Sequence, residues 1–300
     1  MVKNKPENFK KANLDVEIAG LDNELGFEVF KFSDSGTEEH QLQTLAHQTL
    51  KLDIYLTLIV TSGAGKILID FEEYDVEPGS FIFVSRRQLF KIIQLNDFDA
   101  IVFKLNEDFL TELFDGRGIL PFARLFSYHH LSPLISFSDN QYRPLVLQAE
   151  EIYDEYSYPD QYGHKQVLQL QLKLMMYQLV RQRERRLVES QPPRSIKLFS
   201  HFTRLVMENF REVKSAYDYA RMLKVSYKTL NQVCKTNINR TAKAYIEYVT
   251  VLEIKRLLAY SSKSVQEVAF HFGFEEPTNM VKFFKKHTNK TPTQFRSETN

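Results

Sequence analysis

The sequence predicts an α+β chain of two domains: an N-terminal β-barrel with following helices, and a C-terminal all-α domain of two helix-turn-helix units joined by a connecting helix. Three observations carry this prediction. Short runs rich in Ile, Val, Phe and Tyr alternate with Gly and Pro turns between Leu50 and Lys104. The last third of the chain repeats itself at a spacing of 49 to 50 residues. The charge divides at the same boundary: from Ile196 onward there are 18 Lys and Arg against 9 Asp and Glu, a net +9, and the rest carries −8.

Composition narrows the class. With 300 residues, 43% hydrophobic and 26% charged, the chain can bury one or two proper cores, which excludes disordered and collagen-like classes. The N-terminal MVKNKPENFKKANLD is charged throughout, and no apolar run reaches membrane-spanning length, so a cytoplasmic protein with no membrane partner is expected. Cys234 is the single cysteine, so an intrachain disulfide and a cysteine-based metal cluster are both impossible. It reads as a small buried apolar side chain.

The barrel is expected over about 25–105. Its strands read as LDIYLTLIV, GKILIDF, YDVEPGSFIFVS and FDAIVFKL, punctuated by Gly63, Gly65 and the EPGS turn. Helices are expected over 106–189. In VLQLQLKLMMYQLVRQRERR the apolar residues Val167, Leu168, Leu172, Met175 and Leu179 cover more than one helix face. Packing against the barrel and also against a second copy explains the excess, with core packing alone as the plainer reading. Together 1–189 form a sensory or dimerisation domain. The SQPPRS stretch provides a linker over 190–195, and 196–300 form the second domain.

The repeat is legible down to its caps. Ser215 opens SAYDYARMLKV and Ser264 opens SVQEVAFHFGF, each with an acid three residues on, Asp218 or Glu267, as a capping box requires. Ala220 and Ala269 hold matching positions where a crossing helix needs a small residue. Farther on, CKTNINRTAKAY matches FKKHTNKTPTQF at one residue greater offset. Asn239 and Asn289 end the second helices in the left-handed conformation that asparagine tolerates. Gly273 stops one helix, Phe274 fills the core, Glu276 is placed to cap and Pro277 takes the first position of the next helix. Between the copies, Thr241 to Ser262 reads as one connecting helix of about 28 Å, close to the ~34 Å between successive major-groove faces of DNA.

These residues resemble a known family. YDYARMLKVSYKTL, EIKRLLAYSSKSVQEVAFHFGFEEPTN, KFFKKHT and the terminal KTPTQFR together resemble the paired helix-turn-helix domain of the AraC/XylS bacterial transcription regulators. YDVEPGSFIFVSRRQLFKI is similar to the cupin-like barrel common in that family. The resemblance implies promoter DNA as partner, a homodimer, a small-molecule effector, and RNA polymerase contact if the protein is an activator. The sequence departs from the family at Thr250 and Ile254, where arginine and alanine are common, at Asn239 and Asn289 in place of glycine, and at Cys234 and Met280 in place of phenylalanine.

Helical phase then separates core from DNA-facing residues. In the first recognition helix Leu230, Val233 and Cys234 turn inward, leaving Tyr227, Lys228, Asn231, Gln232 and Lys235 outward. Asn and Gln can pair bidentately with adenine, so Lys228, Asn231 and Gln232 are the candidate base readers. In the second, Met280, Phe283 and Phe284 turn inward. Thr278, Asn279 and Lys282 are candidate readers there, with Lys285 and Lys286 positioned for phosphate.

Catalysis has little to stand on. A cupin enzyme holds its metal on strand histidines, yet alignment on Pro78 and Gly79 puts Phe90 at the later ligand position, and KLDIYLTLIV has no histidine. His40, His47, His129 and His130 fit loop or surface roles. No metal, cofactor or catalytic residue is therefore assigned. Against effector sensing stand regulation by a protein partner and, less favoured, an enzyme with an accessory DNA-binding domain.

Overall fold

The computed structural model describes residues 17–21, 23–33, 49–114, 125–126, 132–188 and 193–299. Two long strands organise the N-terminal sheet: β4 (Tyr55–Ile69) and β7 (Leu89–Leu105), antiparallel along nearly their whole length. β7 also pairs with β2 (Phe27–Ser33) and β3 (Leu50–Leu52), and β1 (Glu17–Ala19) lies parallel to β3. β4 also carries β5 (Glu72–Val76) and β6 (Ser80–Val84), and β6 pairs with β8 (Leu134–Ser136).

The expected strands LDIYLTLIV and GKILIDF are two halves of β4. Gly63 and Gly65 do not end the strand. Register shifts between Val60 and Ser62, and between Ser62 and Ala64, mark bulges that bend it while pairing continues. Gly63 sits at φ +70°, and a Cβ there would lie 2.0 Å from the Asp97 carbonyl oxygen, so only glycine fits the bend. FDAIVFKL is likewise the second half of β7, whose first half holds Phe90.

Both faces of this sheet are covered, which is why its strands read as unbroken apolar runs. Leu56, Leu58, Val60, Ala100 and Val102 join one cluster on one face. Ile59, Ile101 and Phe103 point the other way, into a second cluster with α1 (Glu107–Leu113), α2 (Asp139–Tyr156) and α3 (His164–Val188). Leu168, Leu172, Met175 and Leu179 are buried there, whereas Val167, Leu170, Leu174 and Tyr177 stay exposed. His40, His47, His129 and His130 lie outside the described residues.

The C-terminal part is entirely helical: α4 (Pro193–Asn209), α5 (Ala216–Met222), α6 (Tyr227–Ile238), α7 (Ala242–Tyr260), α8 (Val265–His271), α9 (Pro277–Thr288) and α10 (Pro292–Thr299). α4 begins inside the expected 190–195 linker, because Pro193 suits a first helical turn and Phe199, Phe202, Val206 and Phe210 then fall on one buried face. Residues 190–192 lie outside the described residues. α7 runs through the middle of the core and is buried on most of its circumference, including Tyr245, Val249, Ile254 and Leu258.

α7 also buries two charges, Glu253 and Arg256. Arg256 is fully enclosed and reaches the other domain. Its Nε and Nη2 donate to the two carboxylate oxygens of Asp70 at 2.7 and 2.6 Å, and Nη1 donates to Glu253 at 2.5 Å. Asp70 heads the turn between β4 and β5 at φ 57°, and its carboxylate also accepts from Gln88 Nε2 and the Leu89 N–H. The next residue, Phe71, enters the helical core and meets Phe295 edge-on at 5.4 Å. A buried, bidentate, fully hydrogen-bonded pair thus pins the N-terminal sheet to α7.

Removing Asp70 leaves the fully buried Arg256 with Glu253 alone to offset its charge and takes away both bonds to its guanidinium fork. Asp70→Ala is expected to lower the unfolding free energy by about 3–5 kcal/mol. Urea denaturation followed by circular dichroism measures it, and a loss below about 1 kcal/mol would mean the pair contributes no more than an exposed one.

Candidate nucleic-acid interface

Each helix-turn-helix unit is built by local chemistry. In the first, Ser215 Oγ accepts the Tyr217 N–H, and Ser226 Oγ accepts the Thr229 N–H to start α6. The capping box expected at Ser215 does not close, because Asp218 turns to Arg221 one turn along, at 2.9 Å. In the second unit it does close: Ser264 Oγ accepts the Glu267 N–H, and Glu267 accepts the Ser264 N–H at 2.7 Å, which holds the Glu267 carboxyl below its ordinary range. Glu276 occupies the N-cap of α9 without capping it; its carboxylate accepts from the Thr278 hydroxyl.

The turns differ by one residue. Lys224 adopts φ 54° between α5 and α6, whereas Gly273 adopts φ 70° between α8 and α9, where a Cβ would meet the Arg211 carbonyl oxygen at 2.5 Å. Asn239 and Asn289 close both recognition helices in the left-handed conformation, at φ 52° and 59°, each N–H bonded back to the carbonyl of Lys235 or Lys285. Arg296 donates to the Leu258 and Lys263 carbonyls, tying α10 to the end of α7.

Inward positions fall as helical phase predicts. Leu230, Cys234, Met280 and Phe284 are completely enclosed, Val233 is buried, and Phe283 is half-buried against Phe274. Outward, Lys228, Gln232 and Lys235 are exposed on α6, and Thr278, Asn279, Lys282, Lys285 and Lys286 on α9. Tyr227 is half-buried, stacked on Tyr217 with ring centroids 4.1 Å apart. Asn231 sits differently from its neighbours. Half-buried, it accepts the Ala242 N–H at 2.9 Å and so caps α7, leaving only its amide NH2 for another partner. Sequence reasoning missed Tyr217, although a tyrosine exposed on α5 beside the recognition helix is an available signal.

Two exposed polar and basic helices, each second in a helix-turn-helix and joined by one rigid helix, define a two-headed DNA-binding domain. Residues 219–298 match the family model described as a helix-turn-helix domain, and residues 41–180 match the AraC-like ligand binding domain. The chain belongs to the AraC/XylS family of transcription regulators. It is 22% identical over 246 residues to the HTH-type transcriptional activator RhaS of Citrobacter koseri, covering 81% of this chain and 85% of that protein. The lactose operon transcription activator of Staphylococcus xylosus is 21% identical over 96 residues, 32% of this chain and 34% of that one. Among solved structures, ToxT from Vibrio cholerae aligns over 91% of this chain and 98% of its own at a TM-score of 0.43 and 14% identity. The DNA-binding domain of AdpA in complex with a target DNA aligns over 33% of this chain and 89% of its own, at 0.31 and 22%.

Cys234 lies on the buried side of α6, and burial pushes its thiol up to about 12. The thiolate is the reactive species, so native protein at pH 8 is expected to resist Ellman's reagent and to react fully after unfolding. Labelling followed at 412 nm checks this.

Proposed function

We propose that the protein is a sequence-specific, dimeric, effector-responsive transcription activator acting in the cytoplasm through binding rather than catalysis. The reading is carried by the pair of exposed recognition helices that precede and follow α7 in the chain, a 19-residue helix about 28 Å long. Its working units are a sensory and dimerisation domain over 1–189 and a DNA-binding domain over 196–300. The relatives named as activators support the sign of regulation, and with it contact to RNA polymerase.

Lys228, Gln232, Thr278, Asn279 and Lys282 are the proposed base readers. Lys235, Lys285 and Lys286 lie nearer the helix ends and serve phosphates. Tyr227 supports the first recognition helix through its stack on Tyr217 and can reach the backbone with its hydroxyl. Asn231 contributes through its amide NH2 while its oxygen holds α7.

Dimerisation is assigned to α3. Val167, Leu170, Leu174 and Tyr177 are exposed at spacings of three, four and three, an apolar seam of the kind two helices share. A seam left in water by a helix whose other face is already buried is best satisfied by the same seam of a second copy. The effector reading rests on the AraC-like ligand binding domain over 41–180. Phe90 is buried in β7 at the place of a metal histidine, and no group of three His, Cys, Asp or Glu among the described residues could hold a metal ion.

Gln232→Ala or Lys282→Ala is expected to cost about 1–3 kcal/mol on the operator and much less on random duplex, whereas Lys285→Ala should weaken both alike and flatten the salt slope by about one. Titrations at several salt concentrations test this once genomic occupancy has supplied the operator; equal losses on both duplexes for Gln232→Ala remove it as a reader. For the seam, Leu170→Glu with Leu174→Glu should give a monomer by analytical ultracentrifugation with an unchanged unfolding midpoint. An unaltered dimer would place the interface elsewhere.

A further inference from the structure

The two helix-turn-helix units differ at one contact that bears on base choice. In the first, the N–H of Ala242, at the first position of α7, donates to the Asn231 side chain at 2.9 Å. A backbone N–H can only donate, so the atom that receives it is the carboxamide oxygen, and the amide NH2 is the end that remains. Asn231 lies half-buried on α6, at the edge of the face that carries the exposed Lys228, Gln232 and Lys235. The bond answers a local need. Helix starts leave backbone donors without intrahelical partners; Thr241 Oγ1 takes the one at Ala244, and Asn231 takes the one at Ala242.

The second unit shows the same place without that need. At the offset of 50 that relates this part of the two copies, Ala242 corresponds to Pro292 and Asn231 to Val281. Pro292 likewise holds the first position of its helix, α10, and has no N–H to satisfy. Val281 has no acceptor to offer. Donor and acceptor are absent together, which identifies the Asn231 oxygen as an acceptor spent within the protein.

That commitment alters what the side chain can read. Asparagine selects adenine with both ends of its carboxamide, the oxygen accepting from N6 and the NH2 donating to N7. Here such pairing would draw the acceptor away from the start of α7. What is left is a donor, and guanine is the base whose major-groove edge carries two acceptors, O6 and N7, and no donor. Thymine offers a single acceptor and cytosine presents a donor.

We propose that Asn231 reads guanine through its amide NH2 alone, and that the Ala242 N–H is what turns it from the adenine asparagine otherwise selects. The inference rests on the regulator reading above and deepens it by assigning one base of the operator. Ala242 is fully buried, and so bears on specificity without touching DNA.

The test is selection by the full chain from a library of randomised duplexes, followed by titration of the enriched duplex with each of the four bases at the position that Asn231 variants affect. Wild type is expected to prefer guanine there over adenine by about fivefold or more. Asn231→Asp keeps an oxygen for Ala242 but replaces the NH2 with an acceptor, so the preference moves to cytosine, whose N4 donates. Ala242→Pro copies the second unit and releases the Asn231 oxygen, so the preference moves to adenine. Thr241 already holds the extended conformation that precedes proline, at φ −75° and ψ 157°. Unfolding midpoints report that the variants are folded, and should the proline variant not fold, the aspartate variant decides alone. Adenine at that position in the wild type, a uniform loss over all four bases in Asn231→Asp, or guanine still preferred by folded Ala242→Pro would overturn the proposal. No enriched sequence at all would sink the sequence-specific reading along with it, whereas an enriched sequence with adenine at that position would sink only the guanine assignment.

Discussion

One bidentate ion pair sets how this molecule is put together. Arg256 has no exposed surface, and Asp70 stands at φ 57°, in the left-handed conformation that aspartate tolerates better than most residues. Both features follow from the same arrangement. The turn after β4 must present a carboxylate to Arg256 and a phenyl ring to Phe295, both in the helical domain. Burial of a charged pair is weak support for stability in itself, because desolvation offsets most of the attraction. Its value lies in direction, since a guanidinium fork fits a carboxylate in one geometry and so fixes the orientation of α7 against the sheet.

The C-terminal half was legible because its determinants are local. Serine N-caps, left-handed asparagines, the stop at Gly273 and the start at Pro277 act within one or two turns, so residue order alone reports them. Where a cap departs from that reading, a competing local partner explains it: Asp218 turns to Arg221 and not to its own N-cap. That pair is three residues apart and readable from helical spacing, whereas the bond from the Ala242 N–H to the Asn231 oxygen joins two helices and is not.

The N-terminal half was less legible for a complementary reason. Gly63 and Gly65 carry the composition of a turn, but long-range pairing with β7 keeps the strand going through them. β2 escaped a local reading altogether, since its register is set by β7, some seventy residues away. The interdomain pair did leave a trace: Glu253 and Arg256 interrupt an otherwise apolar face of the connecting helix. A charge in that phase signals a buried partner, although nothing in the sequence says that the partner is Asp70.

The unequal turns of the two repeat units bear on how such a domain tolerates change. An extra residue within α7 would swing everything beyond it by about 100° around the helix axis and advance it by only 1.5 Å, carrying one head off the face of the duplex that the other grips. The same addition between α8 and α9 falls after Phe274, whose N–H bonds back to Ala269 as Val225 does to Ala220, and is taken up at Glu275 and Glu276 before Pro277 starts the next helix. Length variation is therefore confined to the hinges of each unit, and the rod between them behaves as a ruler whose angular setting cannot drift.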